Sequence, residues 1–308
     1  MITKCFRQDW MIGMVNCMLN KILFCTGEGI GNVIQTIPVI RTLKEVLGVK
    51  IDFWYAFGTF AIPKIIPYVD KWIIGSEISS IDIKQYNGVV STKWTENYIR
   101  TFSIPILTKI SDLSMTRSEV DCYLDIARGL GVPEEDLLWW GECNYNKCDE
   151  FYDVVIHNGY NFKGSADWQL KSYSKYNEVV KLLGSTVSIC SIGNKNEYIP
   201  GTINRTGLDL LDSLGIIKNA KVFLGNDSGM YHCANALDVP NLVVFTYTST
   251  EKNYDARFHR KAKIICRDDL KCRWCQCQPR FKTCTTRECR NIDPKLITKC
   301  ISEILENG

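Results

Sequence analysis

Two short stretches combine residue types that can hold a diphosphate and move a proton. The first, Thr26-Gly27-Glu28-Gly29-Ile30-Gly31-Asn32, follows the apolar run KILFC and precedes a segment of helical periodicity. Gly27, Gly29 and Gly31 let a backbone turn tightly and approach a ligand closely. A loop between a strand end and a helix start also offers free N–H groups to anions and polar substrates. Its spacing is neither GxGxxG nor a Walker loop, and a plain strand-to-helix turn accounts for the glycines equally well. Glu28 adds a carboxylate suited to general-base work; the bland alternative is an acid favoured by the helix dipole. The second stretch is Phe223-Leu224-Gly225-Asn226-Asp227-Ser228-Gly229-Met230-Tyr231-His232, again an apolar strand running into a polar turn and a helix. Asp227 or Ser228 can cap that helix, leaving the N–H groups of Ser228, Gly229 and Met230 to face a diphosphate. His232 falls one turn after Ser228 on the same helical face. A lone histidine is more often structural, but one placed a turn beyond a candidate anion site also suits a ligand contact.

A third cluster is made of cysteines. The chain has 15, an odd count with no convincing secretory signal before it, which speaks against a secreted disulfide scaffold. Seven lie after residue 265, and Cys272, Cys275, Cys277, Cys284 and Cys289 are spaced C-x2-C-x-C-x6-C-x4-C. Cys272, Cys275, Cys284 and Cys289 form the most natural tetrahedral set for a structural zinc. Disulfides and free thiols are the alternatives, because the second pair lacks the tight spacing of a zinc ribbon. Residues 260–290 also hold ten Lys or Arg against three Asp or Glu, a local charge of +7 inside a chain of +3. Trp274 and Phe281 are interleaved with them. Such a segment can meet nucleic-acid phosphate or an anionic membrane surface, or it is simply a solvated face.

These residues need a frame to hold them. Strand-like runs at Lys21–Cys25, Lys50–Tyr55, Trp72–Ile74 and Val89–Thr92 alternate with helices near Asn32–Leu47 and Arg117–Leu130. The pattern restarts with strands at Asp153–His157, Val187–Ile192, Lys221–Leu224 and Asn241–Thr246. Helices are expected between them near Lys175–Leu183, Leu208–Asn219 and Gly229–Leu237. A last amphipathic helix near Pro294–Leu305 should dock on a domain. The polar segment Glu134–Glu150 reads as a linker, which gives domains at 1–150 and 151–308. The fold class is α/β, with two doubly wound, Rossmann-like domains facing a central cleft.

Composition sets the outer limits. With 308 residues, 45% hydrophobic and 23% charged, the chain is an ordinary globular one, and its net +3 is too small for a whole-chain nucleic-acid binder. The apolar stretch Trp10–Leu19 is about half of the roughly 20 residues a bilayer span needs. The expected location is cytoplasmic, with peripheral contact at the inner membrane surface as the alternative to a free protein.

Together the two loops resemble glycosyltransferase family 9, the ADP-heptose:lipopolysaccharide heptosyltransferase-like proteins. The resemblance is carried by KILFCTGEGIGNVIQTIPVIRTLKE and by SIGNKNEYIPGTINRTGLDLLDSLGIIKNAKVFLGNDSGMYHCANALDVPNLVVFT, and it weakens between about residues 56 and 150. It implies a GT-B architecture, with acceptor bound mainly by the first domain and a nucleotide-diphosphate sugar by the second. It further implies inverting transfer that needs no metal cofactor. On the donor side it points to Glu197 near the nucleoside, to Asp227, Ser228, Gly229, Met230 and His232 around diphosphate and sugar, and to a lysine near Trp168. Lys163 and Lys171 both qualify for that lysine. The implied acceptor is a glycan, such as a membrane-associated lipopolysaccharide core. One departure stands out: the family's catalytic aspartate corresponds to Asn32, and an amide is no base at neutral pH. Either Glu28 supplies the carboxylate while Asn32 orients the acceptor, or the chain binds a nucleotide sugar without turning it over. A nucleic-acid-binding module built on the basic cysteine segment is the reading from a different class.

Overall fold

The computed structural model describes residues 19–27, 29–56, 65–92, 95–110, 113–160 and 166–307. Glu28, Lys163 and residues 10–18 of the N-terminal apolar stretch lie outside them. The chain divides into two compact units, Met1–Glu142 and Cys143–Gly308. Hydrogen bonds explain where the division falls. Trp140 O accepts from Arg41 Nη1 at 2.9 Å and Leu138 N donates to Thr42 Oγ1 at 3.0 Å, which ties that stretch to the first unit. Asn146 N donates to Leu211 O at 3.1 Å and Asn219 Nδ2 to Cys148 O at 2.6 Å, so residues 143–150 pack with the second.

In the first unit β1 (Lys21–Thr26), β2 (Lys50–Tyr55), β3 (Lys71–Ile74), β4 (Gly88–Ser91) and β5 (Ile106–Lys109) form one parallel sheet of order β3-β2-β1-β4-β5. β5 has only four residues, Ile-Leu-Thr-Lys, too few to show a period, which is why its sequence pattern is silent. The single helix expected near Asn32–Leu47 is two, α1 (Ile30–Gln35) and α2 (Ile37–Glu45). Pro38 stands in the first turn of α2, where its missing N–H costs nothing. A longer helix would set its ring against the carbonyl four residues earlier. Thr36 closes α1 by donating its hydroxyl to Val33 O at 2.7 Å. The short α3 (Glu96–Ile99) and the longer α4 (Glu119–Gly129) follow, the latter capped by Ser118, whose hydroxyl accepts from Asp121 N.

The second unit repeats the plan. β6 (Tyr152–His157), β7 (Ile189–Ser191), β8 (Ile203–Asn204), β9 (Ala220–Asn226), β10 (Asn241–Val244) and β11 (Ala262–Ile265) form a parallel sheet of order β11-β10-β9-β6-β7-β8. Its helices are α5 (Tyr176–Leu183), α6 (Leu210–Lys218), α7 (Gly229–Ala236), α8 (Thr250–Asn253) and α9 (Pro294–Asn307). Ile297, Cys300 and Ile301 of α9 share one core with Val179, Val180 and Leu183 of α5 and with β6, β9 and β10. Burying each large aliphatic side chain is worth roughly 1.5–3 kcal/mol, which holds the C-terminal helix in place. Both sheets are doubly wound and Rossmann-like. Among the described residues no helix is long and apolar enough to cross a membrane.

Candidate functional site

In an open parallel sheet, ligands bind beyond the carboxyl ends of the two strands where the winding reverses. In the second unit those strands are β6 and β9. β6 ends in His157, with Asn158 just beyond it, and β9 ends in Asn226, with Asp227 and Ser228 just beyond it, so the sheet itself brings these residues together.

Asp227 is buried and its Oδ2 accepts from Lys171 Nζ at 3.2 Å and from Asn253 Nδ2 at 3.1 Å. Lys171 also lies over the Trp168 ring, 5.1 Å from its centroid. Of the two lysines left open by the sequence, Lys171 reaches Asp227, while Lys163 lies outside the described residues. Ser228 occupies the N-cap position of α7 but makes no cap hydrogen bond. The cap expected from Asp227 or Ser228 is therefore not formed. The Ser228 hydroxyl instead lies 3.2 Å from His157 Nδ1, while Asp227 is engaged with Lys171 and Asn253. Gly229 and Met230 open α7 directly behind it.

His232 points into the protein. Its Nε2 is 3.7 Å from Asp227 Oδ1, and its Nδ1 is 3.0 Å from His259 Nε2. The amide of Asp255, which can only donate, lies 2.9 Å from His259 Nδ1. Asp255 O lies 3.1 Å from the same nitrogen, so Asp255 offers His259 Nδ1 both a donor and an acceptor. Burial holds both imidazoles well below the usual histidine pKa, assisted at His232 by the charges of Lys171 and Lys252 and at His259 by His232.

Glu197 lies on the β6–β7 side. Its carboxylate accepts from Asn194 N at 2.7 Å and Asn194 Nδ2 at 3.0 Å, and stands 3.6 Å from His157 Nε2. Burial raises its pKa, but His157 and Asn194 outweigh burial and hold it below the ordinary carboxylate value. A Cβ at Gly159 would meet Glu197 Oε2 at 2.5 Å, so glycine is needed there for the carboxylate to seat. Asn158, Tyr160, Ser172, Asn196, Glu197 and Tyr198 line a polar pocket of about 230 Å³.

Sequence reasoning missed four of these residues: His157, Asn226, Asn253 and His259. Asn226 is fully buried and accepts from Tyr173 N and Tyr176 Oη, which latches α5 to the end of β9. One signal was available. The chain has only three histidines, His157, His232 and His259, and all are buried around Asp227 and Ser228.

In the first unit the winding reverses between β1 and β4. Their ends carry a buried hydroxyl cluster in which Thr92 Oγ1 donates to Thr26 Oγ1 at 3.0 Å and Ser91 Oγ pairs with Thr95 Oγ1 at 2.8 Å. Gly27, Gly29 and Gly31 stand beside it, but the backbone at Gly29, with φ −67°, is open to any residue. A Cβ at Gly29 would meet nothing within 4 Å, so what glycine leaves there is room. Asn32 is half-buried and its Nδ2 donates to Glu119 Oε1 at 2.7 Å.

Cys272, Cys275, Cys284 and Cys289 all line one small cavity of about 30 Å³, together with Tyr247 and Trp274. The Cys289 thiol is pushed up to about 11, first by burial and then by those neighbouring thiols. None of the described cysteines is in a disulfide. Among the described residues no group of three or more His, Cys, Asp or Glu side chains is arranged to hold a metal ion. The basic segment is less available than its sequence charge implies. Arg260 and Lys261 pair with Asp238, Lys263 with Glu303, Arg267 with Asp269, and Arg273 with Glu251.

Two doubly wound parallel sheets, each with its polar residues at the winding reversal, define the GT-B type of glycosyltransferase fold. The comparisons with known proteins agree. Residues 204–285 match the family described as glycosyltransferase family 9 (heptosyltransferase). A lipooligosaccharide heptosyltransferase 2 from Haemophilus ducreyi is 28% identical over 122 residues, which are 35% of this chain and 34% of that protein. The match thus spans about a third of that relative's length. The structure of the Escherichia coli ADP-heptose LPS heptosyltransferase II superposes with a TM-score of 0.71 at 16% identity, covering 93% of this chain and 99% of that one. An iron-containing dodecameric glycosyltransferase, TibC, from enterotoxigenic E. coli gives 0.62 at 13% identity, covering 94% and 77%. The resemblance to family 9 read from the sequence is borne out over residues 204–285, and over the rest of the chain the likeness is one of fold.

Proposed function

We propose that this protein is an inverting glycosyltransferase that moves a sugar from a nucleoside-diphosphate donor to a glycan hydroxyl. One observation carries the reading: Lys171, Asp227, Ser228 and three buried histidines converge at the carboxyl ends of β6 and β9. A diphosphate seated there meets the Lys171 ammonium and the first amides of α7, which supply fixed positive charge where negative charge grows as the sugar–phosphate bond breaks. Glu197 and its polar pocket suit the nucleoside. On the acceptor side Glu28 takes the hydroxyl proton while that oxygen attacks the anomeric carbon. The diphosphate departs from the opposite face, so the configuration inverts. Gly27, Gly29 and Gly31 leave room for the acceptor, and the chemical step calls for no metal.

The heptosyltransferase relatives make ADP-heptose the first donor to try and a lipopolysaccharide core, met at the cytoplasmic membrane surface, the first acceptor. Thermal shift against a panel of nucleoside diphosphates tests the donor site, and no stabilisation by any of them removes the reading. Donor turnover by wild type and Glu28→Gln then tests the base; equal rates remove that assignment. Binding without turnover in wild type would leave a nucleotide-sugar-binding protein.

A structural zinc is a separate proposal, resting on the soft sulfur donors of Cys272, Cys275, Cys284 and Cys289 around one cavity. Their side chains must draw together to ligate it. Metal analysis of the reduced protein should find roughly stoichiometric zinc, or iron as in the TibC description. Absence of both removes the proposal. With half of the basic segment locally paired, nucleic-acid binding is the weaker alternative, and a salt-dependent shift with DNA would revive it.

A further inference from the structure

The acceptor-side loop rests against a buried polar cluster that the proposed chemistry leaves unexplained. Glu119, the first residue of α4, is only 2% exposed. Its Oε1 accepts from Asn32 Nδ2 at 2.7 Å and from Tyr123 Oη at 2.7 Å. One turn along α1 from Asn32, the buried Gln35 has an Oε1 with no hydrogen-bond partner. Burying this much polarity beside a glycine loop is costly compared with an apolar helix contact, which suggests that the cluster serves a ligand.

The Asn32–Glu119 contact also has a fixed sense. A carboxylate accepts only, so the amide must present its N–H to Glu119 and turn its Oδ1 away. A carboxylate at position 32 would place two like charges at 2.7 Å, and one of them would have to stay protonated. Glu119 therefore demands an amide at position 32.

We infer that Glu119 is a positioning residue of the acceptor site, clamping Asn32 with Tyr123 so that the Asn32 amide oxygen receives a hydroxyl next to the attacking one and thereby orients the acceptor. The inference rests on the transferase reading above. Asn32 Oδ1 accepts from a neighbouring hydroxyl of the acceptor, which leaves the attacking hydroxyl free to give its single proton to the base proposed above as its oxygen bonds to the anomeric carbon and the sugar–phosphate bond breaks. Asn32 is on this account a working member of the site, and its amide is the form that Glu119 selects.

The test uses four variants of the full chain and two readouts. Glu119→Ala releases Asn32 and should lower acceptor kcat by about 100-fold, the scale of a misplaced reacting group, with the Kd for nucleoside diphosphate unchanged. Glu119→Gln keeps the oxygen that Asn32 and Tyr123 donate to, and should restore most of that loss. Equal inactivity of the two would make Glu119 a base and overturn the positioning role; full activity of Glu119→Ala would overturn it outright. The second readout needs no turnover. In Asn32→Asp the carboxylate pair raises a folded-state pKa, so stability is retained at low pH and lost as pH rises through that pKa. Its Tm should fall by several degrees against wild type between pH 5 and 8, and Asn32→Asp with Glu119→Gln should abolish that fall. An unchanged pH slope refutes the coupling. Wild-type protein that turns over no donor refutes the transferase reading itself, whatever the slope shows.

Discussion

Lowering the pH from 7.5 to 5.5 should destabilise the second unit through the His232–His259 pair, by an amount the structure allows one to work out. Both rings are buried, hydrogen-bonded to each other at 3.0 Å, and held well below their usual pKa by burial. The unfolded chain binds protons near pH 6.5 while the folded chain resists them, so stability is full above that pH and falls below it. Each residue that stays neutral in the fold costs about 1.4 kcal/mol over this interval, or about 2.7 kcal/mol for the pair. In a domain of this size that is a Tm loss of roughly 5–10 °C. Differential scanning calorimetry over the pH series measures it. Long-range ¹⁵N spectra give a direct check, because the chain has only three histidines to assign. The expected spectrum shows His232 and His259 as imidazoles that remain neutral at pH 5.5. A pH slope that survives His259→Gln unchanged, or rings that titrate near 6.5, would refute the argument.

Three further outcomes are expected. Lys171→Met removes the cation 3.2 Å from the buried Asp227 carboxylate; it should cost about 3–5 kcal/mol of stability and weaken nucleoside-diphosphate binding by about 10- to 100-fold in calorimetric titration. Gly193→Ala puts a Cβ against the Glu197 carboxylate at a backbone φ of 121°. It should lower stability by about 1–3 kcal/mol and displace Glu197, with nucleoside binding lost before diphosphate binding. Ile301→Ala, in the α9 core contact remote from β6 and β9 ends, should cost about 2–5 kcal/mol with no change in ligand affinity at temperatures where the fold is intact.

How much of this was legible depended on the length of the signal. β1, β6 and β9 are fully or nearly fully buried runs, and their apolar sequences mark them without help from context. β5, with a half-exposed pattern, and β8, with two residues, carry too few side chains to show a period. Their backbones are strands because a neighbour supplies the hydrogen bonds. The break after Gln35 was readable in Pro38, but the apolar periodicity continues across it and hides it.

The candidate site divides in the same way. Asp227, Ser228 and Glu197 stand in local motifs, so chain order alone was enough to single them out. Nothing local links His259 to His232, twenty-seven positions away, or Glu119 to Asn32, eighty-seven positions away. Those pairings arise because α7 and the loop after α8, and likewise α1 and α4, are laid side by side by the winding of each sheet. Sequence determined which elements form and which short motifs end them, since hydrophobic periodicity and turn chemistry act within a few residues. The tertiary structure decided which buried polar groups meet, because a desolvated carboxylate or imidazole needs a partner that only the packing of distant segments can bring within hydrogen-bond reach.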